Sequence, residues 1–414
     1  MFRTDTGRET DLHPLLPLYL VIFIAFIGYS MMVTLFIPML SYSTGFFDES
    51  ISASTKIIYG GLLLALYPLG QFFGAPVIGS FADKFGRKRV LLISLIFVIF
   101  FYAVIAFSLE IKSLWLLMVA CFLCGLTESN VAICQSAIAD VSTAEDRGRL
   151  FGYLYGAESM GYILGPLIGG PLAVHFGYDV PFWVVIVVLI LTYIWVFFSF
   201  TDTFIPDKEK AISYLKSFTN LTTIFSDLPI RRIYLVNFVI YLAMFGFYRV
   251  IQMYMVGEWH FPTDKVTLYY AALSLIAGIA NTFFFGPLSK RFGLKQVTIW
   301  TAVVGGLLTI SIVIPKSEIS YWFTAGPAAF ITVMAVAGCG AYLSTLVSSA
   351  RQGRVLGNNL ALQVGAESIS AALGGFIAAI LIPLPLIVYG ALAVVGGLLL
   401  ITFKGKGDIE GANE

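Results

Sequence analysis

Three carboxylates, Glu128, Glu158 and Glu367, sit well inside long apolar stretches of this sequence. An ionised group near the middle of a bilayer costs about 2.5–3.5 kcal/mol on insertion scales, so such residues should face a cavity or one another. A carboxyl that is neutral or charged near working pH is a proton carrier. Glu158 is the first candidate for that role, Glu367 the second and Glu128 the third; the alternative for each is a hydrogen-bonded packing residue. Arg249 is the lone cation inside such a stretch. It cannot give up its charge, so it calls for a carboxylate partner, an anionic ligand, or a place near the headgroups to which it can snorkel. Helical spacing aligns Asn237, Tyr241, Phe245, Tyr248 and Gln252 on one stripe, and Asn359, Gln363, Glu367 and Ser370 on another. Polar and aromatic faces of this kind line water-filled routes and suit a flat or amphipathic ligand; for any single aromatic, core packing is the competing reading.

The elements that must position these residues are membrane spans. The 414 residues are 58% hydrophobic and 12% charged, with a mean hydropathy of +0.89, too apolar for a soluble domain. Windows of about 20 apolar residues predict twelve spans near 15–42, 56–81, 89–110, 113–139, 149–175, 180–201, 230–256, 265–288, 295–315, 320–348, 354–381 and 384–403. The chain thus divides into an N-terminal six-helix bundle (1–201), a polar cytoplasmic linker (202–229) and a C-terminal six-helix bundle (230–414). Orientation follows from lysine and arginine, which mark the cytoplasmic side. With the N-terminus inside, twenty of them fall in inner segments, including Arg3, Arg8, Lys208, Lys210, Lys216, Lys404 and Lys406, against four outside: Lys56, Lys112, Lys265 and Lys316. Both termini are therefore expected to be cytoplasmic. The net charge of +1 gives no hint of a nucleic-acid partner. Cys121, Cys124, Cys134 and Cys339 lie in apolar stretches, where helix packing is the expected role, and no hydrolase triad, phosphate loop or dinucleotide fingerprint is present. Enzyme chemistry is not expected.

The halves are related. Gly148–Gly152 (GRLFG) is echoed by Gly353–Gly357 (GRVLG), and Gly169-Gly170 by Gly374-Gly375 at the same offset, while GSFADKFGRKRV at 79–90 has a weaker echo in GPLSKRFGLKQV at 286–297. A repeated six-helix unit of one orientation is a transporter plan in which two bundles rock around a central site. The expected fold is thus an all-α membrane protein of twelve transmembrane helices in two pseudo-symmetric bundles.

The stretch GSFADKFGRKR at 79–89 resembles the loop between helices 2 and 3 of the major facilitator superfamily, departing from the usual pattern only at Phe81. In physical terms Gly86 permits a tight turn, Asp83 can sit against a helix N-terminus, and the basic cluster can pair with Asp140, Glu145 and Asp146. The resemblance implies that Gly79, Asp83, Gly86, Arg87 and Arg89, with Asp140, form a gating motif that latches the cytoplasmic face. A second stretch, RLFGYLYGAESMGYILGPLIGG at 149–170, resembles the helix 5 signature of proton-coupled drug antiporters through Gly152, Gly161, Gly165, Pro166, Gly169 and Gly170; the neighbouring IADVSTAEDRGRLFG resembles the tetracycline exporters. Gly161, Gly165 and Gly169 share one helix face, which also suits plain close packing. In one place the sequence departs from that group: Cys121 stands where drug antiporters carry a helix 4 arginine, and Glu128, two turns on, puts an acid on that stripe instead.

The resemblance implies a secondary transporter of the inner (plasma) membrane that exports a small amphipathic organic compound in exchange for protons by alternating access. The alternative is a proton-coupled symporter or facilitator taking up a polar or anionic solute held by Arg249; a non-transporting sensor would normally carry a large soluble output domain, which is not seen. The expected partners are a small-molecule substrate, protons and the lipid bilayer, with no cofactor beyond the proton gradient and no sign of an obligate oligomer, so a monomer is expected.

Overall fold

The computed structural model describes residues 15–42, 45–48, 50–128, 130–143, 146–202, 224, 228–347 and 349–403. Arg3, Arg8, Glu145, Lys404, Lys406 and most of the predicted linker, with Lys208, Lys210 and Lys216, lie outside these residues.

Lipid offers backbone amides no partners, so a spanning segment must satisfy them internally, as a helix does. Among the described residues there is no strand, and eleven helical segments are long and apolar enough to cross a membrane. The remaining predicted span, the fifth, is a 30-residue helix, Arg147–Phe176; glycine in place of larger aliphatics lowers its hydropathy without shortening it. Large side chains point outward where lipid would meet them: Phe198 is 78% exposed, Phe323 76% and Ile380 79%.

Three spans differ in detail from the sequence expectation. Span 2 runs through the predicted loop motif as one helix, Ala53–Phe85, so the turn shrinks to Gly86 alone (φ 97°, ψ 148°) before span 3, Arg87–Glu110. That positive φ is one that glycine adopts without strain. The repeat reproduces it: Gly293 (φ 85°, ψ 146°) separates span 8 from span 9, Leu294–Ser311. Span 8 itself is Thr263–Ile279, a π-helical turn at Ala280–Phe284 and then Phe285–Phe292. Span 4 is broken in two, Leu114–Thr127 and Asn130–Val141.

The described chain forms two compact units. Unit 1 contains Met1–Leu35, Leu66–Ser217 and Thr263–Ala271; unit 2 contains Phe36–Ala65, Phe218–Pro262 and Ala272–Glu414. Within unit 1, span 3 packs on span 4 and on span 6, Val180–Ser199; within unit 2, span 9 packs on span 10, Glu318–Thr345, and span 12, Leu384–Ile401. The two packing patterns match under the sequence repeat. Span 7, Leu228–Gly257, lies against span 11, Ser349–Ile380, and against span 12, around a core that includes Ile233, Ile240, Met244, Ala335 and Ala393.

Candidate functional site

In unit 1 the site is built where spans 2 and 4 cross. A Cβ on Gly70 would lie 2.2 Å from the Phe122 carbonyl oxygen, one on Gly74 2.0 Å from that of Leu126, and one on Gly125 2.0 Å from that of Tyr67. Only glycine lets the two backbones touch, the small-residue mode of packing in lipid. The contact brings Tyr67 of span 2 onto the break in span 4. At Glu128 the backbone leaves the helix (φ −86°, ψ 47°). The Tyr67 hydroxyl donates to Glu128 Oε2 at 2.6 Å and the Cys124 thiol to the same oxygen at 3.7 Å, while Oε1 is buried and accepts no hydrogen bond. The Gln71 amide donates at 3.4 Å to the Tyr67 hydroxyl and at 3.5 Å to the Glu128 carbonyl left open by the break. On the other side the Ser94 hydroxyl lies 2.5 Å from the Thr127 carbonyl and 2.7 Å from Asn130 Oδ1, in reach of either. Tyr29 of span 1, Leu16–Ser41, stacks on Tyr67 with ring centroids 4.5 Å apart. Glu128 is 1% exposed, and no cation among the described residues pairs with it.

In unit 2 the structure brings together two residues with different expected roles. Arg249 of span 7 and Glu367 of span 11 form a buried ion pair through Arg249 Nη2 and Glu367 Oε1. Arg249 therefore meets the carboxylate that its fixed charge demands rather than snorkelling. Below Glu367, Ser370 donates to the Glu367 carbonyl at 3.0 Å, and the Tyr389 hydroxyl donates to the Ser370 carbonyl at 2.5 Å. Much of the predicted cavity stripe is turned into the same unit. Asn237 donates to Asn359 Oδ1 (3.0 Å) and to the Cys339 carbonyl (3.3 Å), and Asn359 donates to the Tyr241 hydroxyl (2.7 Å). Gln252 is buried and donates to the Tyr248 carbonyl, while Tyr248 donates to that of Ala329. Phe245, Tyr248 and Gln363 are half-buried.

The glycine-rich span 5 uses its predicted face against span 1. A Cβ on Gly161 would lie 2.8 Å from the Phe23 carbonyl, one on Gly165 2.0 Å from Ser30 Oγ, and one on Gly169 2.8 Å from Met31 Cγ; Gly170 faces Thr267 instead. Pro166 is buried within the continuous helix, while Gly152 has nothing within 4 Å of a Cβ position. Glu158 is half-buried on this helix and is not among the hydrogen-bond partners of Glu128.

The loop motif forms a knot within unit 1. Arg87 bridges Asp83 (2.8 Å) and Asp140 (3.2 Å), and the Asp202 carboxylate receives the backbone amides of Arg87 (3.0 Å) and Lys88 (3.4 Å), capping span 3. Arg89 is exposed, and Gly79 has open space around a Cβ position. The Lys88 ammonium donates to the Phe197 carbonyl at the end of span 6, and its repeat counterpart Lys295 to the Phe403 carbonyl at the end of span 12, each placing a cation at a helix C-terminus. Sequence reasoning gave no site role to Tyr67, Gln71, Tyr102 or Asp202, and took Lys88 and Lys295 only as basic residues of the inner segments. Tyr67 and Gln71, one turn apart in an otherwise apolar helix, and the lysines, at the offset of the loop repeat, were the available signals.

The model of the Major Facilitator Superfamily matches residues 18–357. The chain belongs to this superfamily. It is similar to the class H tetracycline resistance protein of Pasteurella multocida, 40% identical over 125 residues that make up 30% of each chain. The class B tetracycline resistance protein of Escherichia coli is 38% identical over 155 residues, 37% of this chain and 38% of that one. These matches span about a third of either relative's length. Multidrug resistance protein 2 of Bacillus subtilis (strain 168) is 25% identical over 415 residues, 95% of this chain and 96% of the relative. Among solved structures, the human organic anion transporter MFSD10 (TETRAN) superposes with a TM-score of 0.72 at 16% identity, covering 95% of this chain and 100% of that one; at that identity the likeness shows the fold alone. This superfamily member is a multi-pass membrane protein.

Proposed function

We propose that this protein is a proton-coupled antiporter that exports a small amphipathic organic compound by alternating access. In this reading it works as a monomer in the inner (plasma) membrane with both termini cytoplasmic. The observation that carries the reading is the placement of ionisable carboxylates inside membrane spans, Glu128 in unit 1 and Glu367 in unit 2. Intramembrane acids are costly and mark ion or substrate pathways. The resistance proteins among the relatives support export, and so does the helix 5 pattern, whose Gly161, Gly165 and Gly169 give spans 1 and 5 a close seam. Substrate and proton must differ in affinity between the inward and outward states for either to drive the change. A second reading, proton-coupled uptake of an organic anion, is favoured by Arg249, because an organic anion would compete with Glu367 for its guanidinium.

The test is proton release from energised everted vesicles followed with a pH-sensitive dye. Addition of tetracycline or ethidium is expected to collapse the gradient. Silence with both, together with acid-stimulated uptake of a small organic acid in right-side-out vesicles, would replace antiport by the second reading.

A further inference from the structure

The three intramembrane acids are held differently, and the difference bears on which of them exchanges a proton. Glu367 is paired with Arg249, whose charge is permanent. Glu158 is half-buried on span 5. Glu128 is buried, and its charge is met by uncharged donors: the Tyr67 phenol of span 2 and the Cys124 thiol of its own helix on Oε2, with the Tyr102 phenol of span 3 beside it. The groups in reach of it are Tyr67 and Gln71 of span 2, Tyr102 of span 3 and Cys124 of its own helix, with Cys121 next to Cys124 and Tyr102. The 2.6 Å Tyr67 contact is of the length found for hydroxyl–carboxylate bonds, so the site can hold the charge. It does not fix it, because no cation among the described residues pairs with Glu128.

The acid also sits where the backbone can respond. Span 4 has no continuous helix at Glu128, and the neighbouring carbonyls of Thr127 and Glu128 accept from the Ser94 hydroxyl and the Gln71 amide. The glycine crossing of Gly70, Gly74 and Gly125 presses span 2 onto this point. Resting on the antiport reading above, we infer that Glu128 carries the exchanged proton and that Tyr67 is its positioning residue. A proton arriving from water adds to Oε1, converting the carboxylate to the neutral acid; the Tyr67 hydroxyl keeps its own proton and becomes donor to a weaker acceptor. Loading thereby slackens the tie between span 2 and the break in span 4, and unloading restores it. Neither change needs a group that the site lacks.

A test that needs no substrate is infrared difference spectroscopy of the purified full chain in lipid bilayers during a pH titration. A titrating protonated-carboxyl C=O band is expected. Glu128→Gln should abolish it, while Glu158→Gln and Glu367→Gln should leave it in place. Tyr67→Phe should keep the band and raise its frequency, because a carbonyl that loses a hydrogen-bond donor stretches faster; a purely structural role for Tyr67 would not move it. If Glu128→Gln fails to fold, Glu128→Asp should shift the band. A wild type with no titrating band, or a band that survives Glu128→Gln unchanged, or one that vanishes in Glu158→Gln or Glu367→Gln, would overturn the assignment. Vesicle proton release with tetracycline and ethidium as probes separates the two levels. Coupled release that persists in Glu128→Gln defeats this inference and leaves antiport standing, whereas a wild type that releases no proton defeats antiport itself, whatever the infrared assignment.

Discussion

Gly125→Ala is the sharpest single change to the site, since it adds one methyl group and removes nothing. The new Cβ would lie 2.0 Å from the Tyr67 carbonyl oxygen, where ordinary contact begins at 3.4 Å. The obstacle is backbone, so no rotamer change relieves it, and spans 2 and 4 must part by about 1.4 Å on that geometry. The same displacement would stretch the Tyr67–Glu128 bond from 2.6 Å to about 4 Å, beyond hydrogen-bonding range. Overpacking of this kind costs about 1–3 kcal/mol, and a buried hydroxyl stripped of its acceptor about 1–3 kcal/mol more. The expected loss is therefore about 2–6 kcal/mol, or at roughly 2–4 °C per kcal/mol a drop of about 4 °C or more in melting temperature. All four cysteines are free and buried, so a thiol-reactive fluorogenic dye reports unfolding of the purified protein directly. An alanine variant that melts with the wild type would refute both the backbone crossing and the positioning of Tyr67 that depends on it.

The helix 5 motif predicts a contrast between two of its own glycines: Gly165→Ala places a Cβ 2.0 Å from Ser30 Oγ and should cost about 1–3 kcal/mol. Gly152→Ala, with nothing within 4 Å, should be neutral or stabilising by up to about 1 kcal/mol, and the same dye assay ranks the pair. Arg249→Leu, leaving Glu367 buried without its cation, should destabilise by about 3–5 kcal/mol, and the double variant with Glu367→Leu should recover much of that in a thermal double-mutant cycle. Asp202→Ala removes the cap of span 3 and should cost about 0.5–2 kcal/mol, visible as faster hydrogen exchange at the Arg87 and Lys88 amides. Asp83→Asn weakens the Arg87 bridge and should lower turnover with little change in substrate affinity, measured as separate KM and maximal-rate effects in vesicle transport.

The spans were legible because hydropathy over 20 residues is a one-dimensional property, and the turn at Gly86 because a short glycine-punctuated motif is local. Partnerships were less so. Arg249 announced its need for a counter-charge, yet which carboxylate would supply it depends on how spans 7 and 11 pack, and sequence spacing says nothing of that. Glu128 ranked last among the acids although it stands on the stripe where the resemblance leads one to expect an arginine. Its distinction comes from Tyr67, 61 residues earlier, and from glycines on two helices that have meaning only as a crossing. The break in span 4 was equally invisible, since the hydropathy of residues 114–141 runs through it without interruption.

The two halves of the repeat agree in scaffold and differ in chemistry. Gly86 and Gly293 turn alike, Lys88 and Lys295 reach the carbonyl end of the last span in their own half, and spans 3 and 9 pack on corresponding neighbours. These features lie at turns and helix ends, where geometry is fixed by backbone and a single charge. The interior is different: unit 1 holds an acid among neutral donors, and unit 2 holds an acid neutralised by a permanent cation. The Glu367 carboxylate shares its charge with Arg249, whereas the Glu128 carboxylate meets hydroxyl and thiol donors. Duplication of the fold thus left two intramembrane carboxylates in different company, one paired with a permanent cation and one among neutral donors, while the turns and helix ends around them stayed alike.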